Sequence, residues 1–112
     1  MLLNLFKRTP KAYRDLHAEA FKEAVKAKDA VLIDVSTPGE FGSRKLRGAR
    51  NLDYMDPQFQ QQIAHLPKDK SYYLYCRSGN RSARACKLMA ANGFGKVYNL
   101  SGGIVHWPFE TV

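Results

Sequence analysis

The chain has 112 residues, 45% of them hydrophobic, which is enough for one domain whose core needs neither metal nor disulfide and leaves no room for a second domain. Its two cysteines, Cys76 and Cys86, cannot build a secreted-type disulfide framework, and no zinc-ligand spacing lies beside them, so a reducing, cytoplasmic setting with a free thiol is expected. The formal charge of +8 would permit nucleic-acid binding, but Lys and Arg are spread through every segment without an aromatic-basic reader motif, so small anions are the expected partners and nucleic acid is not.

Residues 1–10 open with an apolar hexamer, Met1 to Phe6, followed by Lys7 and Arg8. A secretory signal has the opposite charge order and a longer apolar region, and six residues cannot span a bilayer, so this stretch is expected to be a tail or a small apolar pad on a domain at 11–112. Residues 12–16 read as a short opening strand. Residues 18–28 have the spacing of a helix that buries Ala20, Phe21, Ala24 and Val25. The near-continuous apolar run at 31–35 fits a central strand of a parallel sheet covered on both faces. Pro38-Gly39-Glu40-Phe41 opens a short helix or turn, with Glu40 favoured in the first turn by the helix dipole. Asn51-Leu52 ends a brief strand, and Phe59, Ile63 and Leu66 mark a helix stopped by Pro67. Leu74-Tyr75 and Val97-Tyr98 supply two more strands, separated by a helix that ends near Asn92-Gly93. Gly102-Gly103 and Trp107-Pro108 read as a turn and an apolar lid segment, with Trp107 a packing anchor. The sum is an α/β fold: a mostly parallel sheet of about five strands with helices on both faces.

The candidate chemistry lies where the aromatic strand at 72–75 runs into Cys76. After it the apolar spacing becomes helical, with Ala85, Leu88 and Met89 inward and Arg84 and Lys87 outward. Cys76 thus sits at a strand-to-helix corner, where unpaired loop N–H groups and the helix dipole converge on one anion. Those amides, with the guanidinium groups of Arg77 and Arg81, lower a thiol pKa and favour the nucleophilic thiolate. Gly79 allows the positive φ that turns loop amides inward. Asp34, at the carboxyl end of its strand, can neighbour this loop, and reads foremost as a carboxylate holding backbone or an arginine by hydrogen bonds. Cys86 reads as a small buried apolar residue, with a resolving thiol as the alternative. His17, His65 and His106 have no spacing for a triad or a metal site.

Cys76-Arg77-Ser78-Gly79-Asn80-Arg81-Ser82 resembles the active-site loop of the rhodaneses. The segments at 31–41, 46–52 and 99–107 are similar to the other signatures of that family, in the same order. The resemblance implies a rhodanese-like domain at 11–112 and a thiosulfate sulfurtransferase without a cofactor. In it, Cys76 would carry a sulfane sulfur as a persulfide, cradled by the loop from Arg77 to Ser82, with Arg77 guiding the donor and Arg81 bracing the loop. The expected partners are a small anionic sulfur donor and a thiol or cyanide acceptor, with a sulfur-accepting protein as a further candidate. Two positions depart from the family pattern: Ser36 stands where an arginine is common, and Lys45 where a histidine is common. They bear on hydrogen bonding around the site and on donor preference, not on the nucleophile.

Two other functions fit parts of the pattern. Relatives of this fold use a Cys-x5-Arg loop for phosphatase or arsenate-reductase chemistry, but only four residues separate Cys76 from Arg81, and Tyr75, not histidine, precedes the cysteine. A sulfur-carrier or binding module in a protein-to-protein relay would use the same residues without turnover of its own.

Overall fold

The computed structural model describes residues 12–112, and the expected tail or pad at 1–10 lies outside them. Five strands alternate with helices: β1 (Arg14–Leu16), α1 (Ala18–Ala24), β2 (Ala30–Asp34), α2 (Pro38–Ser43), β3 (Arg50–Asn51), α3 (Phe59–Ala64), β4 (Ser71–Tyr75), α4 (Asn80–Ala91) and β5 (Val97–Leu100), followed by a 3-10 turn at Ile104–His106. The sheet order is β1-β5-β4-β2-β3, and every neighbouring pair is parallel. Parallel strands joined by helical crossovers must bury both faces, which is why β2 and β4, the most apolar and aromatic segments, take the interior positions.

Alternation along those strands divides the core. Val31 and Ile33 of β2 and Tyr72 and Leu74 of β4 face α3 and α4, where they meet Phe59, Ile63, Ala85, Cys86 and Met89. Tyr73 and Tyr75 face the other way, onto Phe21 of α1 and onto Leu100, Ile104 and Trp107. Phe21 makes edge-on contacts with both Tyr73 and Trp107, so Trp107 is a core anchor of the second face.

Helix α1 stops at Ala24, four residues before the spacing suggests. Lys26 N–H bonds the Glu23 carbonyl and Ala27 N–H the Ala24 carbonyl, each at 3.2 Å, and this tightened turn swings the chain into β2. Because all strands point the same way, their carboxyl ends gather at one edge of the sheet. Asp34 is in register with Tyr75 there, which brings the end of β2 beside Cys76. Among the described residues, no helix is long and apolar enough to cross a membrane.

Candidate active site

Cys76 leaves β4 buried, with only 1% of its surface exposed. The chain then turns through Gly79, whose φ of +99° makes it the left-handed residue ahead of α4. A Cβ there would lie 3.4 Å from the Gly102 amide, an ordinary contact, so it is the backbone conformation and not space that calls for glycine. This turn aims donors at the sulfur: Gly79 N–H at 3.1 Å from Sγ, and Ser82 N–H and Ser82 Oγ each at 3.4 Å. Ser82 Oγ also lies 3.2 Å from the Gly79 carbonyl, so its one proton serves either the sulfur or the loop. Burial pushes the Cys76 thiol up, but hydrogen bonds from the Ser82 hydroxyl and from the Ser82, Gly79 and Arg81 amides outweigh it, leaving the thiol below its ordinary value of 9.0. Ser78 and Asn80 are exposed, with the buried Gly79 between them.

The two arginines do different work from one another. Arg77 turns inward, where Nη2 pairs with Oδ2 of Asp34, a carboxylate with no exposed surface. Its Nε donates to Ser36 Oγ at 3.0 Å, and Nη1 to the carbonyls of Glu40 at 3.2 Å and Arg44 at 2.8 Å. Four of the five guanidinium N–H groups are therefore engaged in tying the loop to the end of β2 and to α2. The expected task of guiding the donor does not match this geometry, because a fully buried Asp34 needs the charge more than the solvent-facing mouth does. Asp34 in turn accepts the Ser36 N–H at 2.8 Å. Arg81 grips Glu40 with both nitrogens, at 2.8 and 3.1 Å. Glu40 is itself fixed by the capping box of α2, accepting from Thr37 N–H at 2.9 Å while Thr37 Oγ1 accepts from Glu40 N–H. The Arg81 fork, then the Thr37 amide, holds the Glu40 carboxyl down at about 2.

The sequence reading overlooks the part played by residues 103–105. Ile104 N–H donates to the Cys76 carbonyl at 2.9 Å and Val105 N–H to that of Arg77 at 3.1 Å, so the 3-10 turn backs the first two peptides of the loop. Gly103 makes this approach possible: at φ +67°, a Cβ would lie 2.8 Å from the Cys76 carbonyl oxygen and closer still to the Arg77 carbonyl. The Gly102-Gly103 pair was the available signal, and it marks close backbone approach as well as a turn.

The model of the rhodanese-like domain matches residues 17–109. The chain belongs to the rhodanese-like domain family. A sulfurtransferase of Allochromatium vinosum is 38% identical over 80 residues, covering 70% of this chain and 72% of that protein. The thiosulfate sulfurtransferase GlpE of Ectopseudomonas mendocina is 31% identical over 93 residues, covering 80% and 84%. Among solved structures, a rhodanese-related protein from Thermoplasma volcanium superposes with a TM-score of 0.78 at 28% identity, covering 89% of this chain and 98% of that one.

The two departures from the rhodanese pattern have local explanations. Ser36 supplies the oxygen that receives Arg77 Nε. Lys45 exchanges two backbone hydrogen bonds with Val112 and holds its ammonium 5.2 Å from the Phe41 ring centre. Cys86, on the buried side of α4, has no exposed surface, and its thiol is pushed far up by burial, then by the nearby charges of Asp15 and Cys76. Such a group stays a protonated core residue, which argues against the resolving-thiol alternative.

Proposed function

We propose that this rhodanese-like chain is a sulfurtransferase of the thiosulfate type, moving a sulfane sulfur from an anionic donor to a thiol or cyanide acceptor through a persulfide on Cys76. The carrying observation is the set of donors converging on one sulfur atom, Gly79 N–H, Ser82 N–H and Ser82 Oγ. In the first half-reaction the Cys76 thiolate attacks the outer sulfur of thiosulfate, the S–S bond of the donor breaks, and sulfite leaves with the electron pair. The product Cys76–S–S⁻ has its charge on the outer sulfur, where loop amides and the dipole of α4 can stabilise it. In the second, the acceptor attacks that outer sulfur and the thiolate of Cys76 returns. Arg81, clamped to Glu40, keeps the amides of the first turn of α4 in place, and Arg77 holds the loop to Asp34 from behind. The A. vinosum and E. mendocina relatives support sulfurtransfer, and the name of the latter supports thiosulfate as donor.

Loop size supports sulfur over phosphate chemistry. Only four residues separate Cys76 from Arg81, one fewer than in a Cys-x5-Arg loop, and the amides of this shorter loop already close on Sγ at 3.1 to 3.4 Å, which favours a single sulfur over a tetrahedral oxyanion. The test is steady-state kinetics with thiosulfate and cyanide. Parallel double-reciprocal lines are expected for the wild type and Cys86→Ser, and no turnover for Cys76→Ser; turnover by Cys76→Ser would overturn the assignment.

A further inference from the structure

The outward side of α4 carries Arg84 and Lys87, both exposed, next to the half-buried Leu88. The segment after β3 lies across from it, bearing Tyr54 and Met55, the latter 65% exposed. Two hollows of about 300 and 410 Å³ lie between them and share Tyr54, Gln60 and Leu88 as walls, so they form one continuous groove. Asp56 is the one carboxylate lining it, and its Oδ1 already accepts the Gln58 N–H at 2.8 Å.

Charge and position say what the groove suits. Arg84 and Lys87 are the cations that line it, and among the described residues they, like most of the other lysines and arginines, have no carboxylate partner. Two free cations over a floor of tyrosyl, methionyl and leucyl side chains match carboxylates flanking an apolar residue, and two are too few to follow a nucleic-acid backbone. The helical wall of the groove also runs back toward the reactive centre, because Arg84, Lys87 and Leu88 stand on the helix that begins at the Cys76 loop. Arg84 follows Arg81 by one turn on the same side of α4, and Arg81 is close enough to Cys76 to feel its charge. From Arg81 to Leu88 the helix rises roughly 10 Å, a span that about three extended residues cover.

We propose that this groove docks the acceptor of the Cys76 sulfur, and that the acceptor is a protein presenting an extended segment in which acidic residues flank an apolar one a few residues from its reactive thiol. The inference rests on the persulfide reading. The carboxylates pair with Arg84 and Lys87, the apolar side chain seats among Tyr54, Met55 and Leu88, and the thiol reaches the mouth. There the acceptor thiolate attacks the outer sulfur of Cys76–S–S⁻ and the S–S bond breaks. Its electron pair stays on Cys76 as thiolate, and the acceptor leaves as a persulfide.

The test uses the whole chain and two synthetic probes, Ac-Glu-Leu-Glu-Gly-Cys-amide and the charge-reversed Ac-Lys-Leu-Lys-Gly-Cys-amide, with the neutral thiol β-mercaptoethanol as control. After loading with thiosulfate, discharge to the acidic peptide should show a KM about tenfold below that of the basic one at low salt. The double variant Arg84→Glu, Lys87→Glu should reverse this preference and leave the β-mercaptoethanol rate within about twofold. Fluorescence anisotropy of the acidic peptide, labelled and with its cysteine changed to serine, reads docking on protein never exposed to sulfur. Sulfur uptake with equal KM values for both peptides, an unreversed preference in the double variant, or tighter binding of a labelled single-stranded oligonucleotide overturns the docking surface and leaves the persulfide reading standing. Selective peptide binding without sulfur uptake overturns the persulfide reading instead.

Discussion

Cys76 sits under two opposed influences, burial that favours the thiol and converging donors that favour the thiolate, and the donors win. The reactive form therefore exists below the ordinary thiol value, and the rate of persulfide formation should fall only as pH drops through that lowered value. Removing one donor moves the balance: Ser82→Ala should shift this acid limb to higher pH and slow sulfur uptake at pH 7 by about three- to tenfold, measured by stopped-flow sulfite release. An unchanged limb would mean that Ser82 Oγ gives its proton to the Gly79 carbonyl alone. Arg77 poses a different question. Its partner Asp34 has no exposed surface, so Arg77→Ala leaves a buried carboxylate uncompensated and should cost about 3 to 5 kcal/mol in urea denaturation. Replacing both, Arg77→Met with Asp34→Asn, should recover much of that loss; a single-variant cost of about 1 kcal/mol or less would place Arg77 among weak surface pairs.

Helix α2, six residues long, is held by its capping box and by Arg81 from across the loop. Glu40 has a folded-state value of about 2, well below its ordinary 4.5. A depressed carboxylate contributes stability above its unfolded value and loses it as pH falls through the folded one, so this contribution should be full above about pH 4.5 and fade toward pH 2. Glu40→Gln should flatten the stability profile over that interval, and an unaltered acid profile would show that the clamp contributes nothing. The turn behind the loop is tested by Gly103→Ala. Its Cβ would displace the Cys76 and Arg77 peptides, so sulfur uptake should fall at least about tenfold, beyond the loss of thermal stability. The strand-loop-helix around Cys76 was legible because a continuous aromatic and apolar run ends there and the apolar spacing becomes helical. Gly79 was legible because only glycine suits its conformation. Arg77's direction was not, since the pattern does not say which way a long side chain turns until the buried Asp34 is placed beside it. The Glu40–Arg81 pair spans 41 residues, and the support from Ile104 and Val105 runs through backbone groups that carry no residue signature.

For the whole molecule, the parallel sheet gathers the ends of β2, β4 and β5 at one edge, and the full chain carries a formal charge of +8. With Arg77 turned inward, the thiosulfate reading proposed above predicts attraction of the donor by that summed charge rather than by one residue. The kcat/KM for thiosulfate should therefore fall severalfold as ionic strength rises from about 0.01 to 0.15 M, with kcat nearly constant. Arg77→Lys, if it folds, should leave this slope unchanged. Loop length enters at the same scale: one glycine inserted between Asn80 and Arg81 should widen the cradle, weaken sulfur uptake and admit phosphate or arsenate, measured as protection of Cys76 from alkylation. The central claim is that Cys76 accepts a single sulfur atom. Intact-mass spectrometry after incubation with thiosulfate tests it most directly: the mass should rise by one sulfur, localise to the Cys76 peptide, return to the starting value on adding a thiol, and stay unchanged in Cys76→Ser. No adduct across the pH range, or an adduct on Cys86, would contradict it.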